Sequence, residues 1–293
     1  MLKLNQQVRI QVDDVFIQYH IFDINQPIMV TFPPGSKPFN EHDISSGQSA
    51  WGFDFFAKRQ MNVISFVHIG KNNLFESPIF ECFIDKLRAD LAIFPSRIGY
   101  GASRGGFAVA LHANKLAIDR ALLLMPLSTY NPIIAPWVHK AAELKSERGL
   151  DASQCNAALT IIYDPLSLRD KLHKRRFSHC VKALTITGVG HRIPRALLNL
   201  GMLSSVVLEY REGDINSDYF YQRTRNRRYL SFYFKHVRIN NTGKMTNKRL
   251  MVIYRYKFVY FLRNLYMKPY KILAKFKVNV LIKIKKLGEF NRL

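Results

Sequence analysis

A pentapeptide of the form Gly-x-Ser-x-Gly, at residues 101–105, constrains the fold of this chain more than any other feature. The run 97–100 before it suits a buried strand, and the Ala-rich segment 107–116 after it favours a helix. A serine on a tight strand-to-helix turn needs small residues two positions before and after it, and Gly101 and Gly105 meet that need. The segment therefore predicts a strand, a sharp turn that exposes Ser103, and a helix.

Two later segments place polar residues directly after strands. Asp164 follows the apolar run 157–163, and His191 follows the run 183–187 after Gly188-Val-Gly. Serine, acid and histidine in this order resemble the α/β-hydrolase superfamily, over about residues 8–205. The resemblance implies an α/β-hydrolase-like fold, a mostly parallel sheet flanked by helices. It also implies that Ser103 is the nucleophile, His191 its general base and Asp164 the carboxylate that orients the imidazole.

The resemblance further implies two backbone donors for the oxyanion that forms during acyl transfer. The first is the N–H of Arg104, at the start of the helix after the sharp turn at residues 101–105, which we call the elbow. The second comes in the family from the loop after the strand 27–32, where Pro33 and Pro34 have no N–H to donate. Phe32 or Gly35 must therefore be the second donor, unless this segment is a plain turn.

Other residues near the predicted site are candidates for substrate contact. His68 follows the predicted strand 62–67, at the sheet edge where functional loops gather, but a partly buried loop histidine is an alternative. The Arg104 side chain, with the basic helix 166–177, would favour an anionic substrate, although such a helix is often only a solvated face. Residues 133–156 occupy the position of a lid or cap.

The remaining segments before position 218 alternate between strand and helix patterns. They predict an opening hairpin (8–12 and 15–22), a further strand at 120–125, and helices over 51–60, 76–94 and 194–200.

The formal charge of +23 is concentrated in the last quarter of the chain. Residues 219–293 hold 20 Lys and Arg and one acid, whereas residues 1–218 hold 24 basic and 20 acidic side chains. We therefore expect a nearly neutral catalytic domain over 1–218 and a basic, aromatic-rich C-terminal extension over 219–293, with the boundary between 205 and 245. Asn240-Asn-Thr-Gly243 is the strongest linker signal.

Three interpretations of the extension remain open. A stripe formed by Leu273, Phe276, Val280, Ile284 and Leu287, flanked by lysines, predicts an amphipathic helix, so residues 250–287 could bind an anionic membrane surface. The extension could instead pack on the catalytic domain or on a partner protein. Nucleic-acid binding is the least favoured, because no recognised nucleic-acid module is present. No stretch of 18 uncharged residues occurs, which argues against a transmembrane helix.

The cysteines and the N-terminus bear on the compartment. Cys82, Cys155 and Cys180 are odd in number, and Met1 does not begin a basic-then-apolar leader. We expect a cytoplasmic protein, peripheral on the inner membrane face if the extension binds lipid. We expect neither a metal nor another cofactor, because a serine triad needs none and no C-x-x-C pair or P-loop is present.

These observations predict a serine-dependent acyl-transfer enzyme of the esterase type, which forms an acyl-Ser103 intermediate from a small ester or acyl donor. A looser similarity to hydrolase-fold proteins of bacterial capsule and surface-polysaccharide loci implies an alternative, an O-acetyltransferase with a glycan acceptor. A non-catalytic scaffold anchored by its basic extension is a third interpretation.

Overall fold

The computed structural model describes residues 2–35, 37–70, 75–136, 151–230, 232–240 and 246–267. The chain divides into two compact units, one ending at Arg227 and one beginning at Arg228. This division lies inside the 205–245 window but after position 218, since the helix Ser217–Thr224 belongs to the first unit.

The first unit is built around a sheet that has eight strands within the described residues. In chain order they are β1 (Gln7–Val12), β2 (Val15–His20), β3 (Ile28–Phe32), β4 (Val63–His68), β5 (Arg97–Ala102), β6 (Arg120–Leu124), β7 (Ala158–Tyr163) and β8 (Cys180–Thr185). Their spatial order is β1-β2-β4-β3-β5-β6-β7-β8. Strand β2 is antiparallel to β1 and β4, and every pair from β4 to β8 is parallel. The predicted α/β-hydrolase-like class is confirmed.

The central strands are apolar because helices cover both faces of the sheet. Every residue of β3 and β4 is buried, and so is every residue of β5 and β6 after the first. Such continuous burial is typical of parallel strands. The edge strand β8 instead alternates between exposed and less exposed positions over Cys180–Leu184, and only Leu184 is buried. The parallel strands β3 to β8 consequently direct their carboxyl ends, and the loops that follow them, to one edge of the sheet.

Five of the α-helices described in the first unit correspond to predicted segments with shifted ends, whereas the helices Glu41–Ser45, Leu203–Glu212 and Ser217–Thr224 were not predicted from the sequence. In chain order the described helices are α1 (Glu41–Ser45), α2 (Phe53–Ala57), α3 (Pro78–Leu91), α4 (Arg104–His112), α5 (Leu168–Arg176), α6 (Ile193–Asn199), α7 (Leu203–Glu212) and α8 (Ser217–Thr224). The helix predicted over 51–60 is shorter, because Gly52 takes a left-handed conformation (φ 83°) immediately before it. Most of the predicted lid segment 133–156 lies outside the described residues, which exclude 137–150.

The second unit contains α9 (Tyr233–Asn240) and α10 (Asn247–Met267). Tyr256 of α10 accepts a hydrogen bond from Arg228 at 3.0 Å, and its ring lies 6.4 Å from both the Tyr229 and Phe234 rings. The predicted stripe between 273 and 287 and most of the linker 240–243 lie outside the described residues. Among the helices that the structure describes, none is long and apolar enough to cross a membrane.

Candidate active site

Ser103 occupies a strained turn between β5 and α4. Its φ of 53° and ψ of −113° lie outside the regions that a residue with a side chain normally adopts. A β-carbon on Gly105 would lie 2.2 Å from the Phe32 carbonyl oxygen, and one on Gly101 would lie 2.4 Å from the Gly105 carbonyl carbon. Both positions therefore require glycine, because neighbouring backbone atoms lie too close to leave room for a side chain. The predicted strand, turn and helix are confirmed.

The structure brings Ser103 and His191 together. The Ser103 Oγ lies 2.8 Å from the His191 Nε2, although the residues are 88 positions apart. The contact follows from the topology, because Ser103 succeeds β5 and His191 succeeds β8, and both strands end at the same sheet edge. The His191 side chain is 41% exposed, so the pair is open to solvent.

The expectation that Asp164 contacts His191 is wrong, because the carboxylate beside the imidazole belongs to Asp170. The Asp170 Oδ1 lies 2.7 Å from the His191 Nδ1, and the side chain is only 2% exposed. Asp170 stands in the first turn of α5, where the helix dipole favours a negative charge. The acid is therefore supplied by the helix after β7 rather than by the residue that ends the strand.

Asp164 holds the loop that carries His191. It is fully buried, and its carboxylate accepts backbone N–H groups from Leu166 at 2.9 Å, Gly188 at 3.0 Å and Gly190 at 2.6 Å. Its position at the end of β7 directs it to the backbone after the neighbouring strand β8, and not to the imidazole. Sequence reasoning missed Asp170, although it is the only acid among residues 165–178.

These contacts indicate which nitrogen of the imidazole carries a hydrogen beside an ionised Asp170. An ionised carboxylate only accepts hydrogen bonds, so the Asp170 contact assigns the proton to Nδ1 of His191. The Nε2 lone pair is then free to accept the Ser103 hydroxyl proton. This assignment is the one that a general base for Ser103 requires.

The predicted oxyanion donors border the elbow. The backbone N–H of Arg104 opens α4 and has no hydrogen-bond partner among the described residues. Phe32 ends β3 with its carbonyl against Gly105, and a β-carbon on Gly35 would lie 3.0 Å from the Arg104 Cδ. That the backbone N–H of Phe32 or of Gly35 is the second donor stays a prediction.

The two predicted substrate contacts line one narrow pocket next to the elbow. Its walls include Pro34, Lys37, His68, Phe75 and Arg104. The Arg104 Nε donates to the Tyr130 hydroxyl at 3.0 Å, and burial raises the pKa of Tyr130 to about 12.

His68 is the buried polar group of this pocket. It is 4% exposed, and burial, aided by the charge of Arg104, lowers its pKa to about 3, which keeps the imidazole neutral. Its ring stacks on Phe75 with centroids 3.6 Å apart, and neither ring nitrogen has a hydrogen-bond partner within the described part of the chain. The role of His68 and Arg104 in substrate contact stays a prediction.

No group of three or more His, Cys, Asp or Glu side chains within the described ranges is arranged to hold a metal ion.

Comparison with known proteins found similarity to solved structures alone. No protein-family model and no curated protein sequence matches the chain. The capsule O-acetyltransferase of Neisseria meningitidis serogroup A is 12% identical, with a TM-score of 0.45 over 77% of this chain and 97% of its own. XC6422 of Xanthomonas campestris, an α/β serine hydrolase without a lid, is 12% identical, with a TM-score of 0.44 over 72% and 97%. An α/β serine hydrolase homologue from Coxiella burnetii is 13% identical, with a TM-score of 0.41 over 77% and 99%. Similarity at this level carries no information about the substrate.

Proposed function

We propose that the protein is a serine-dependent acyl-transfer enzyme that acts through an acyl-Ser103 intermediate. The observation that carries the proposal is the continuous chain of contacts from Ser103 Oγ through His191 to the buried Asp170. A serine hydroxyl is a weak nucleophile unless an adjacent base removes its proton, and this arrangement supplies that base.

In the first half of the reaction, Ser103 Oγ attacks the acyl carbon of the donor as its proton passes to His191 Nε2. The carbonyl oxygen becomes an oxyanion, which the N–H of Arg104 and that of Phe32 or Gly35 stabilise. Asp170 stabilises the imidazolium through Nδ1. The intermediate then collapses: the bond from carbon to the leaving group breaks, and His191 returns the proton to that group.

In the second half, an acceptor hydroxyl takes the place of the leaving group. His191 removes its proton, the acceptor oxygen attacks the acyl carbon, and Ser103 leaves with the proton that His191 returns. Water as the acceptor makes the enzyme an esterase, and a glycan hydroxyl makes it an O-acetyltransferase. The proposal includes Arg104 and His68 as contacts for a polar group of the donor, supported by their shared pocket.

The test is covalent labelling of Ser103 by a fluorophosphonate probe, with turnover of p-nitrophenyl acetate measured in parallel. We expect Ser103→Ala to abolish labelling and to lower turnover by roughly 10⁴-fold or more, as loss of a triad nucleophile does. Ser45→Ala, an exposed serine at the end of α1, is the matched control and should label fully.

The same assay separates the remaining alternatives. Turnover that rises on addition of a polysaccharide, with acetyl groups recovered on the glycan, would identify a transferase, whereas turnover indifferent to the glycan would identify an esterase. Absence of labelling in the wild-type protein would contradict the proposal and favour the non-catalytic scaffold.

A further inference from the structure

The second unit exposes an apolar stripe along α10. It consists of Met251, Tyr254, Phe258, Phe261 and Leu265. These side chains are exposed by between 36%, at Leu265, and 74%, at Met251. A helix on the surface of a water-soluble unit normally directs such residues inward, so this stripe requires an explanation.

The spacing shows that the stripe is one continuous face. Its members recur at intervals of three, four, three and four residues, and at 3.6 residues per turn they fall within about 100° of the helix circumference. The less exposed positions Ile253, Tyr256 and Tyr260 lie on another side, and Tyr256 makes the contacts with Arg228, Tyr229 and Phe234. The helix therefore packs within its unit through one face and presents the stripe on another.

Positive charge flanks the stripe on both sides. Arg255 and Lys257 are exposed, and their helical positions lie on opposite margins of the apolar face. The Lys257 Nζ lies 5.7 Å from the centre of the Tyr254 ring, at the boundary between charge and stripe. Residues 246–267 carry five Lys or Arg and no Asp or Glu. Other exposed apolar side chains of α10 lie on the Arg255 side of the stripe, namely Val252, Val259 and Leu262. An aromatic-rich apolar face with cations near it matches the interfacial zone of an anionic bilayer, where rings lie among the headgroups and cations meet the phosphates.

We infer that α10 binds the surface of an anionic membrane, with Met251, Tyr254, Phe258, Phe261 and Leu265 inserted at the headgroup level and Arg255 and Lys257 on the lipid phosphates. The inference concerns the second unit alone and does not depend on the proposed chemistry at Ser103. It leaves the helix parallel to the membrane surface.

The test is co-sedimentation of the full chain with vesicles of phosphatidylglycerol and phosphatidylcholine. We expect binding to vesicles rich in phosphatidylglycerol, at least tenfold weaker binding to pure phosphatidylcholine, and a further decrease at 0.5 M salt. Phe258→Ser removes apolar area without changing charge and should weaken binding about tenfold, and Phe258→Ser with Phe261→Ser should weaken it more. Arg255→Gln should weaken binding to phosphatidylglycerol but leave the residual binding to phosphatidylcholine unchanged.

The control is Ile79→Ser. Ile79 is 61% exposed on α3 of the first unit, close to the 60% of Phe258, and its replacement should change vesicle binding by less than twofold. Circular dichroism and the midpoint of thermal unfolding establish that each variant is folded. The Ser103→Ala protein should bind vesicles as the wild type does, so failure of the catalytic proposal and failure of this inference are distinguishable.

Three results would overturn the inference. One is equal binding to both lipids, and another is unchanged vesicle binding in the Phe258→Ser, Phe261→Ser protein. The third is a self-associated species in analytical ultracentrifugation that Phe258→Ser dissociates, in a protein that does not bind vesicles, since the stripe would then be an interface between copies of the chain.

Discussion

Two aspartates divide the support of His191 between them. Asp170 contacts the imidazole, whereas Asp164 contacts only backbone N–H groups of neighbouring loops. The two side chains are six positions apart and both are buried, yet one orients the ring and the other fixes the loop. Their replacements should therefore fail in different ways.

The residue-scale prediction compares Asp170→Asn with Asp164→Asn. Asp170→Asn should lower kcat by about 10⁴-fold, because an amide cannot hold the imidazole in the required tautomer, with little change in unfolding free energy. Asp164→Asn should lower unfolding free energy by about 2–4 kcal/mol, since hydrogen bonds to a charged acceptor are weakened and one amide loses its partner. Esterase kinetics and urea unfolding measure the two effects. A larger loss of kcat in a stably folded Asp164→Asn protein would return the catalytic role to Asp164.

Sequence reasoning identified the serine and the histidine of this site because each has a local signature. Ser103 has its glycines, and His191 follows a strand after two glycines. The acid has no such signature, because any carboxylate at the sheet edge after β7 satisfies the order Ser, acid, His. Which acid reaches the imidazole depends on the direction in which α5 leaves the sheet, and that direction comes from packing rather than from the order of residues.

At the scale of elements, the elbow is the part of the fold with the least room for change. Strand β3, the turn at Ser103 and helix α4 meet there, and Gly105 lies against the Phe32 and Pro33 backbone. Backbone atoms cannot yield as a flexible side chain does. The elbow therefore depends on its glycines for folding as well as for exposure of Ser103.

The element-scale prediction is that Gly105→Ala destabilises the protein by about 3 kcal/mol or more, beyond the usual cost of overpacking a core. Gly213→Ala is the matched control for contact with the added carbon, because no atom lies within 4 Å of that carbon. Thermal unfolding measures both. Equal midpoints of thermal unfolding for the two variants would show that the Phe32 and Pro33 backbone can move away from residue 105.

The sequence predicts where the strands begin and end more accurately than where the helices do. Apolar runs bounded by polar residues define β3 to β7 almost to the residue, because strands buried on both faces tolerate few polar side chains. Helix α10 has cations on several sides and aromatic residues on others, so its periodicity is weak in the sequence. Which of its residues form the exposed stripe depends on the side through which the helix packs, and the sequence does not show that side.

At the scale of the whole molecule, three histidines among the described residues are buried in the neutral form. Burial lowers the pKa of His68 to about 3, of His112 to about 4 and of His173 to about 4, from a usual value of 6.5. His112 lies among aromatic rings, 5.8 Å from Phe32 and 5.7 Å from Phe80. The folded chain therefore takes up these protons at a lower pH than the unfolded chain does.

The three buried histidines make the stability of the folded protein depend on pH. As pH falls through about 6.5, histidines of the unfolded chain bind protons while these three remain neutral, so unfolding becomes more favourable until pH reaches the folded pKa values of about 3 to 4. Each buried histidine lowers the unfolding free energy by up to about 1.4 kcal/mol for each unit by which the pH falls in that range. This stability is complete above pH 6.5 and is lost on acidification.

The whole-molecule prediction is that unfolding free energy, measured in urea at pH 7 and pH 5, decreases less in His112→Leu than in the wild type. His42→Leu is the control, because His42 is exposed on α1 and its replacement should leave the decrease unchanged. A decrease in His112→Leu as large as that of the wild type would show that His112 is protonated in the folded protein near neutral pH.

The attachment of the His191 loop to Asp164 has a consequence for how such a site can be altered. Because the loop is fixed through backbone amides, its shape does not depend on which side chain the loop presents or on which acid faces that side chain. A designer could exchange the side chain at position 191, or move its carboxylate partner to another element, without rebuilding the loop. The same independence gives natural variation a route to new chemistry on an unchanged scaffold.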